Sequence, residues 1–319
     1  MVKDETYDLV VIGAAAAGCA AAVYAARRNL NFVVVSKDIG GEVSLSGDVE
    51  NWPGIEKTTG FELAQQFHKH ALSYGVKFEE GFEIKGIEQE KKHHLIHAEN
   101  IIGEKRSYRS KALIVASGIH PRELGVQGEQ KLKNKGVTYC TVCDGPLFKG
   151  KTTATIGAGN AALESALMMG GIASTCYLLT KYAQSEKSGF PKGEDILIRK
   201  VKELKNVKIL YKALSTEITG TDIVDGLNYT DEMSGEKKHL DLSAVMVHVG
   251  MVPNSTFIHC VDKNAQGEIK VNLRGETSCP GIFAAGDVTD IPFKQIAIAA
   301  GQGVTAALSA IDYINKWQN

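Results

Sequence analysis

The chain has 319 residues, 44% of them hydrophobic, with 33 glycines and only 7 prolines. That composition belongs to turn-rich α/β proteins and excludes disordered and collagen-like chains. A formal net charge of −1 argues against a dedicated nucleic-acid binder, which concentrates basic residues on one face, and the length fits roughly two domains of about 100–200 residues each.

The opening "MVKDETYDLVVIG" runs into a strand pattern without the apolar core and small-residue cleavage site of a secretory signal. No apolar stretch read from the sequence approaches the roughly 20 residues that span a bilayer, so a cytoplasmic protein with no membrane partner is expected. The stretch "YDLVVIGAAAAGCAAAVYAARR" reads as a buried strand to Ile12, a tight turn and an alanine-rich helix that packs closely on the sheet. Gly13 makes the turn and Gly18 permits helix–strand contact, while Ala15 stands where backbone approaches a pyrophosphate. The strand "NFVVVS" follows and ends at Ser36, the position of a ribose-binding acid, with Asp38 as a substitute. His93, His94 and His97 fall in a charged hairpin expected to face solvent. "KALIVASG", closing on Ser117 and Gly118, is a buried strand whose small end suits close passage of a cofactor.

A second strand–turn–helix fingerprint stands at "TTATIGAGNAALESALMMGG", with Gly157, Gly159 and Ala162 in the same frame. Two copies about 140 residues apart, Gly13 to Gly157, point to two nucleotides bound by two similar domains. Near the C-terminus "GIFAAGDV" places Gly286 and Asp287 just past another strand. There the carboxylate accepts from sugar hydroxyls or caps a turn. "KQIAIAAGQGVTAALSAI" then reads as a helix whose N-terminal amides face an electron-rich ring edge.

Between the fingerprints lies "YCTVCDG". A structural zinc site takes four ligands, usually with a second Cys or His pair, and Cys19, Cys176, Cys260 and Cys279 are single, so no metal is expected. A staple across so small a loop constrains the unfolded chain little. The remaining reading is an electron relay, since Cys-x-x-Cys pairs at helix N-termini carry reactive thiolates. Asp144, next to the pair, reads either as a general acid for a leaving thiolate or as the cap of the helix that starts there.

From "GAAAAG" through "GGEVSLSGDVENWPG", "ASG", "CTVCDG", "GAGNAA", "GMVPN" and "FAAGDV" with "KQIAIAAGQG", the whole chain resembles the low-molecular-weight thioredoxin reductases, which are FAD-dependent pyridine nucleotide-disulfide oxidoreductases. The resemblance implies an α/β fold of two Rossmann-like dinucleotide-binding domains, each three-layer ββα, the second inserted into the first. The FAD domain would comprise residues 1–117 and 250–319, and the pyridine-nucleotide-type domain with the cysteine pair residues 118–249. Hinges are expected near Gly118 to Pro121 and Val249 to Pro253, because the pair must serve both a flavin and a bulky partner. FAD would contact Gly13, Ala15, Ala16, Gly18, Ser36, Gly40, Gly41, Asn51, Ser117, Gly118, Gly286, Asp287, Gln295 and Ile296. Gly157, Gly159, Asn160 and Ala161 would line the second cleft. Cys143 would exchange electrons with the flavin and Cys140 would attack the disulfide of thioredoxin or a thioredoxin-like protein. Family members are homodimers.

The segment after the second fingerprint, "CYLLTKYAQSEKSGF", lacks both the arginines that take the NADP phosphate and the acid that holds the NAD ribose. Lys181 and Lys187 supply charge without the guanidinium fork. NADPH is the first expected donor, NADH the second, and a protein or deazaflavin-type reductant the third. Two rival functions fit the same residues: a dithiol oxidase that delivers electrons to oxygen, and a flavin-bound sensor without catalysis.

Overall fold

The structure is a computed structural model that describes residues 2–185 and 189–317. It divides into two units, Met1–His120 with Val252–Asn319, and Pro121–Met251. The first unit begins with β1 (Val2–Ala14), α1 (Ala16–Ala26), β2 (Phe32–Ile39), α2 (Gly41–Ser44), β3 (Asp48–Val49), β4 (Thr58–Thr59) and α3 (Gly60–Ser73). It continues with β5 (Phe78–Glu80), β6 (Phe82–Gln89), β7 (His94–Asn100), β8 (Lys105–Val115) and β9 (Ile119–Pro121). The second unit holds β10 (Val137–Thr138), α4 (Thr141–Asp144), β11 (Thr152–Gly157), α5 (Asn160–Ile172), β12 (Thr175–Leu179), α6 (Asp195–Glu203) and β13 (Val207–Leu210). It ends with β14 (Ala213–Thr219), β15 (Gly226–Asp231), β16 (Glu236–Asp241) and β17 (Ala244–His248); the chain then returns to the first unit along β18 (Met251–Pro253), and β19 (Ile282–Ala284) and α7 (Ile296–Asn315) complete it.

The first unit is built on a sheet ordered β5-β2-β1-β8-β7-β6, with β19 also paired to β8. β5, β2, β1, β8 and β19 pair in parallel, whereas β6 and β7 join antiparallel. A parallel strand covered on both faces needs apolar residues in succession, and "LVVI" of β1 supplies them. Leu9 and Val11 face a cluster containing Ala17, Ala21, Ala306 and Ala310 from the helices. Val10 and Ile12 face Phe82, Ile84 and Ile96 from the antiparallel strands. Each such side chain, fully withdrawn from water, contributes about 1.5–3 kcal/mol. β2 runs three residues beyond the expected end at Ser36, to Ile39, with a register shift where Ala14 pairs Ile39.

Helix α1 is held by close backbone contact as well as by its small apolar side chains. A methyl group on Gly18 would stand 1.9 Å from Gly13 O, and one on Gly303 of α7 would stand 2.1 Å from Ala17 O. Glycine at these two places lets α1 lie against β1 on one side and α7 on the other. Helix α3 is fixed by a reciprocal cap: Thr59 Oγ1 accepts from Glu62 N at 3.2 Å, while Glu62 Oε2 accepts from Thr59 N at 3.1 Å.

Two sequence expectations fail here. His94 is buried at 3% exposure on β7, and burial holds its imidazole below the usual histidine range, so the histidine hairpin is not uniformly solvated. The alternation of β7 turns His94 inward with Ile96 and Ala98. Helix α7, 20 residues with mean hydropathy 1.2, is long and apolar enough to cross a bilayer by length and composition. Its buried residues Gly303, Ala306, Ala307 and Ala310 belong instead to the core against α1.

In the second unit the parallel sheet β10-β17-β11-β12-β13 is accompanied by an antiparallel sheet β14-β15-β16. Ala162, Leu163, Ala166 and Met169 of α5 pack with Ile198 and Val201 of α6 on one side of it. Ile218, Leu227 and Tyr229 of the antiparallel strands pack with Ile156 and Val245 on the other. Each unit is thus a helix layer, a parallel sheet and an antiparallel layer.

Candidate functional site

The first unit gathers its predicted site residues at the carboxyl ends of β1, β2 and β19, where open α/β sheets take ligands. Gly13 has φ +103°, and a methyl group on it would stand 2.2 Å from Ala116 O, so only glycine makes this turn. Ala15 is the N-cap of α1 and provides no side-chain cap, which leaves the first-turn amides of Ala16 and its neighbours available to an anion. Gly40 and Gly41 have φ +96° and +49°, and Gly41 N donates to Asp38 Oδ1 at 3.0 Å. Ser36 donates its hydroxyl to Asp38 O at 2.6 Å, committing that proton locally. Gly286, with φ +79°, donates its amide to Gln302 Oε1 at 2.9 Å.

Asp287 is half-buried and its carboxylate accepts no hydrogen bond among the described residues. Burial raises it above the usual carboxylate range, opposed by Lys294. A desolvated acceptor left open beside a bare helix N-terminus fits a ligand with hydroxyls and a pyrophosphate, which is the donor set FAD presents. Asn51 Nδ2 donates to Gln295 Oε1 at 3.1 Å across 244 residues of sequence, and Gln295 is the N-cap of α7, followed by Ile296. Ser117 and Gly118 are pinned by Asn254: Ser117 Oγ donates to Asn254 O at 2.6 Å, Asn254 Nδ2 returns to Ser117 O at 2.8 Å, and Asn254 N donates to Gly118 O at 2.9 Å.

One group in this cradle escaped the sequence reading. Glu42, on α2, is pushed up to about 7 by burial first, then by Asp38 and Asp287. It follows Gly41 directly, but nothing local in "GGEV" reveals that Asp287, far along the chain, faces it.

In the second unit Cys140 and Cys143 are joined by a disulfide with a Cα–Cα separation of 5.4 Å. Cys140 is the N-cap of α4, and its Sγ accepts from Cys143 N at 3.2 Å. An amide aimed at that sulfur favours its thiolate once the bond is reduced. Asp144 does not cap α4; its Oδ2 accepts from Thr138 Oγ1 at 2.5 Å. Thr138 Oγ1 in turn accepts from Cys140 N at 3.1 Å, so one hydroxyl ties the acid to the redox pair. Thr141 Oγ1 meets His248 Nε2 at 2.8 Å and Ser165 Oγ at 2.7 Å, anchoring α4 on β17 and α5. Burial drops His248 to about 4, which keeps it neutral at physiological pH. Thr138 and His248 were absent from the sequence reading, because a threonine before the motif and a histidine 107 residues beyond Thr141 carry no local mark.

The second fingerprint forms as a strand–turn–helix unit. A methyl group on Gly157 would stand 2.3 Å from His248 O, whereas the space beside Gly159 is open. Asn160 and Ala161 open α5. Asn160 Nδ2 donates to Glu194 Oε1 at 3.0 Å and Glu194 N donates to Asn160 Oδ1 at 2.9 Å, which brings a carboxylate to this helix start. Past β12, Lys181 and Lys192 lie 5.6 and 5.9 Å from the centre of the Tyr182 ring. Lys187 lies outside the described residues.

Residues 7–303 match the pyridine nucleotide-disulphide oxidoreductase family. The chain belongs to that family. Among the relatives and solved structures it is similar to, an alkyl hydroperoxide reductase subunit of Pseudomonas aeruginosa is 40% identical over 319 aligned residues, covering 97% of this chain and 58% of that protein. The chain therefore spans less than two thirds of that relative's length. The thioredoxin reductase of T. acidophilum superposes with TM-score 0.82 at 35% identity, covering 98% of this chain and all of that one. The Lactococcus lactis enzyme in its FR conformation gives TM-score 0.85 at 27% identity, with 98% and 100% coverage. The fold of this pyridine nucleotide-disulphide oxidoreductase is thus that of the low-molecular-weight thioredoxin reductases. Family and neighbours together imply FAD as its cofactor.

Proposed function

We propose that the protein is a thioredoxin reductase, in which Cys140 and Cys143 carry an electron pair to the disulfide of thioredoxin or a thioredoxin-like protein. The observation that carries this reading is the disulfide whose Cys140 sulfur caps α4. Gly13, the first turn of α1, Gly41, Asp287 and the start of α7 would hold FAD, which would supply the electron pair for reducing the Cys140–Cys143 bond, and Cys143 is the sulfur assigned to receive it. The Cys140 thiolate, steadied by the Cys143 amide, then attacks the partner's disulfide and forms a mixed disulfide. The first partner thiolate leaves with a proton from Asp144, which Thr138 holds beside the pair. Cys143 attacks Cys140 sulfur, expels the second partner thiolate and restores the starting disulfide. Val142 and Leu147, 43% and 76% exposed, flank the pair with apolar surface suited to a protein partner.

The donor in this reading is NADPH, with Lys181 and Lys192 offering charge to its 2′-phosphate. Glu194, which precedes α6 and is hydrogen-bonded to Asn160 at the start of α5, favours a second reading in which a low-potential protein reduces the flavin directly, because a carboxylate opposes a pyrophosphate there. A homodimer and a cytoplasmic location belong to the same proposal, the former checked by sedimentation. The deciding experiment is anaerobic mixing of the purified flavoprotein with NADPH, NADH or a reduced low-potential protein while flavin absorbance is followed. Bleaching by NADPH, with subsequent reduction of a thioredoxin disulfide that is lost in Cys140→Ser, supports the first reading. Bleaching only by the protein reductant selects the second. Turnover of dithiols with oxygen uptake and no thioredoxin reduction overturns both.

A further inference from the structure

The flavin-binding unit contains a second pair of cysteines that the proposed reaction does not use. Cys260 and Cys279 are free thiols, 19 positions apart in sequence, and both pack in one apolar cluster, where Cys260 raises the Cys279 thiol. The two segments that carry them are tied next to the cysteines, where Asp262 N donates to Ser278 Oγ at 2.8 Å. Cys279 lies in a turn closed by Ile282 N to Cys279 O at 3.1 Å and Thr277 Oγ1 to Ile282 O at 2.8 Å. Ile258, Val261 and Cys279 share one buried cluster, with Cys260 packed on its margin. The neighbouring thiols are therefore fixed by the fold rather than brought together by loose loops.

Access differs between the free cysteines. Cys19 and Cys176 are buried, and each has an oxygen neighbour instead of a sulfur, Ala14 O at 3.5 Å and Thr155 Oγ1 at 3.8 Å. Cys279 is buried, and burial with the adjacent Cys260 pushes it up to about 12. Cys260 is half-buried and so open to a small oxidant.

We propose that Cys260 and Cys279 are a second oxidisable dithiol, converted by hydrogen peroxide to a disulfide. The Cys260 sulfur attacks one peroxide oxygen, the O–O bond breaks, and Cys260 becomes a sulfenic acid as one water leaves. The Cys279 sulfur then attacks the sulfenic sulfur, the S–O bond breaks, and a second water leaves. Two electrons pass from the two thiols to the peroxide, and their two protons end in water. The new bond closes the segment from 260 to 279, which contains Ile269. Ile269 N donates to Val288 O at 2.9 Å and Asp290 N returns to Ile269 O at 3.0 Å, so the closed segment braces the turn that carries Gly286 and Asp287. Oxidation would thereby hold the flavin cradle together under the conditions that threaten it.

The test is peptide mapping of the flavin-loaded wild-type protein after brief peroxide treatment, alkylation and trypsin digestion without reductant. The expected product is a reductant-sensitive link between peptides 239–263 and 275–294, distinct from the internal bond of peptide 136–149. In Cys279→Ser the expected product is a Cys260 sulfenic acid captured by dimedone. The proposal is overturned if both thiols of wild type remain alkylatable, if Cys260 goes on to sulfinic acid while Cys279 stays free, or if the link involves Cys19 or Cys176.

Discussion

Gly303→Ala tests whether α7 is seated on α1 by direct backbone contact. The added methyl carbon would stand 2.1 Å from Ala17 O and 2.8 Å from the Ala17 carbonyl carbon, inside the about 3.5–4.0 Å optimum for non-bonded carbons. Because the obstructing atoms are backbone, relief requires the helix to shift, at the upper end of the about 1–3 kcal/mol that overpacking costs. Alanine's helix preference over glycine offsets about 1 kcal/mol, leaving a net loss of about 2 kcal/mol. Gly301, two residues earlier in the same helix, has nothing within 4 Å of its added methyl, so Gly301→Ala should gain about 0.5–1 kcal/mol. At about 2–4 °C per kcal/mol for a unit of this size, thermal unfolding should drop by about 4–8 °C in the first variant and rise in the second. Flavin content should fall with the first, since α1 and α7 both start at the cradle. Unfolding of Gly303→Ala at or above the wild-type midpoint would refute the seating of α7 described here.

Further predictions concern titration and the redox motif. Glu42, raised to about 7 from 4.5, keeps its proton in the fold after the unfolded chain has lost it, so stability falls as pH rises from about 4.5 to 7. Glu42→Gln should therefore stabilise the flavin-free protein by about 2–3 kcal/mol at pH 8 and leave it unchanged at pH 4, as urea titration at both values can check. His248, lowered to about 4 from 6.5, acts in the opposite sense: its contribution is full above pH 6.5 and is lost as pH falls toward 4. The wild type should lose at most about 3 kcal/mol more than His248→Asn over that window, read as a difference between two denaturation series. Thr138→Val removes the donor to Asp144. A hydrogen bond of this kind contributes about 0.5–1.5 kcal/mol to placing the acid, so disulfide exchange with thioredoxin should slow by up to about tenfold, while the flavin spectrum stays unchanged.

Local signals made the fold class legible. A run of buried β residues, a glycine with positive φ and a helix of small residues form one continuous stretch from Tyr7 to Ala26, and the turn at Gly13 is dictated by the absent side chain. The spacing of Cys140 and Cys143 was similarly local. Contacts across long separations were not readable: Asn51 reaches Gln295 across 244 residues and Thr141 reaches His248 across 107. The length of the apolar stretch at α7 was missed, and its small residues, which suit a bilayer by composition, serve as a packing surface for α1.

Sequence alone determined the two strand–turn–helix fingerprints, the parallel α/β architecture and the pairing of two thiols within one helical turn, because each depends on neighbours a few positions apart. Only the tertiary structure decided which acids share a desolvated space, which hydroxyl holds Asp144, and that Cys260 and Cys279 belong to one apolar cluster. Those facts arise from side chains that chain folding brings together, and their energies depend on burial and distance, which no linear spacing encodes.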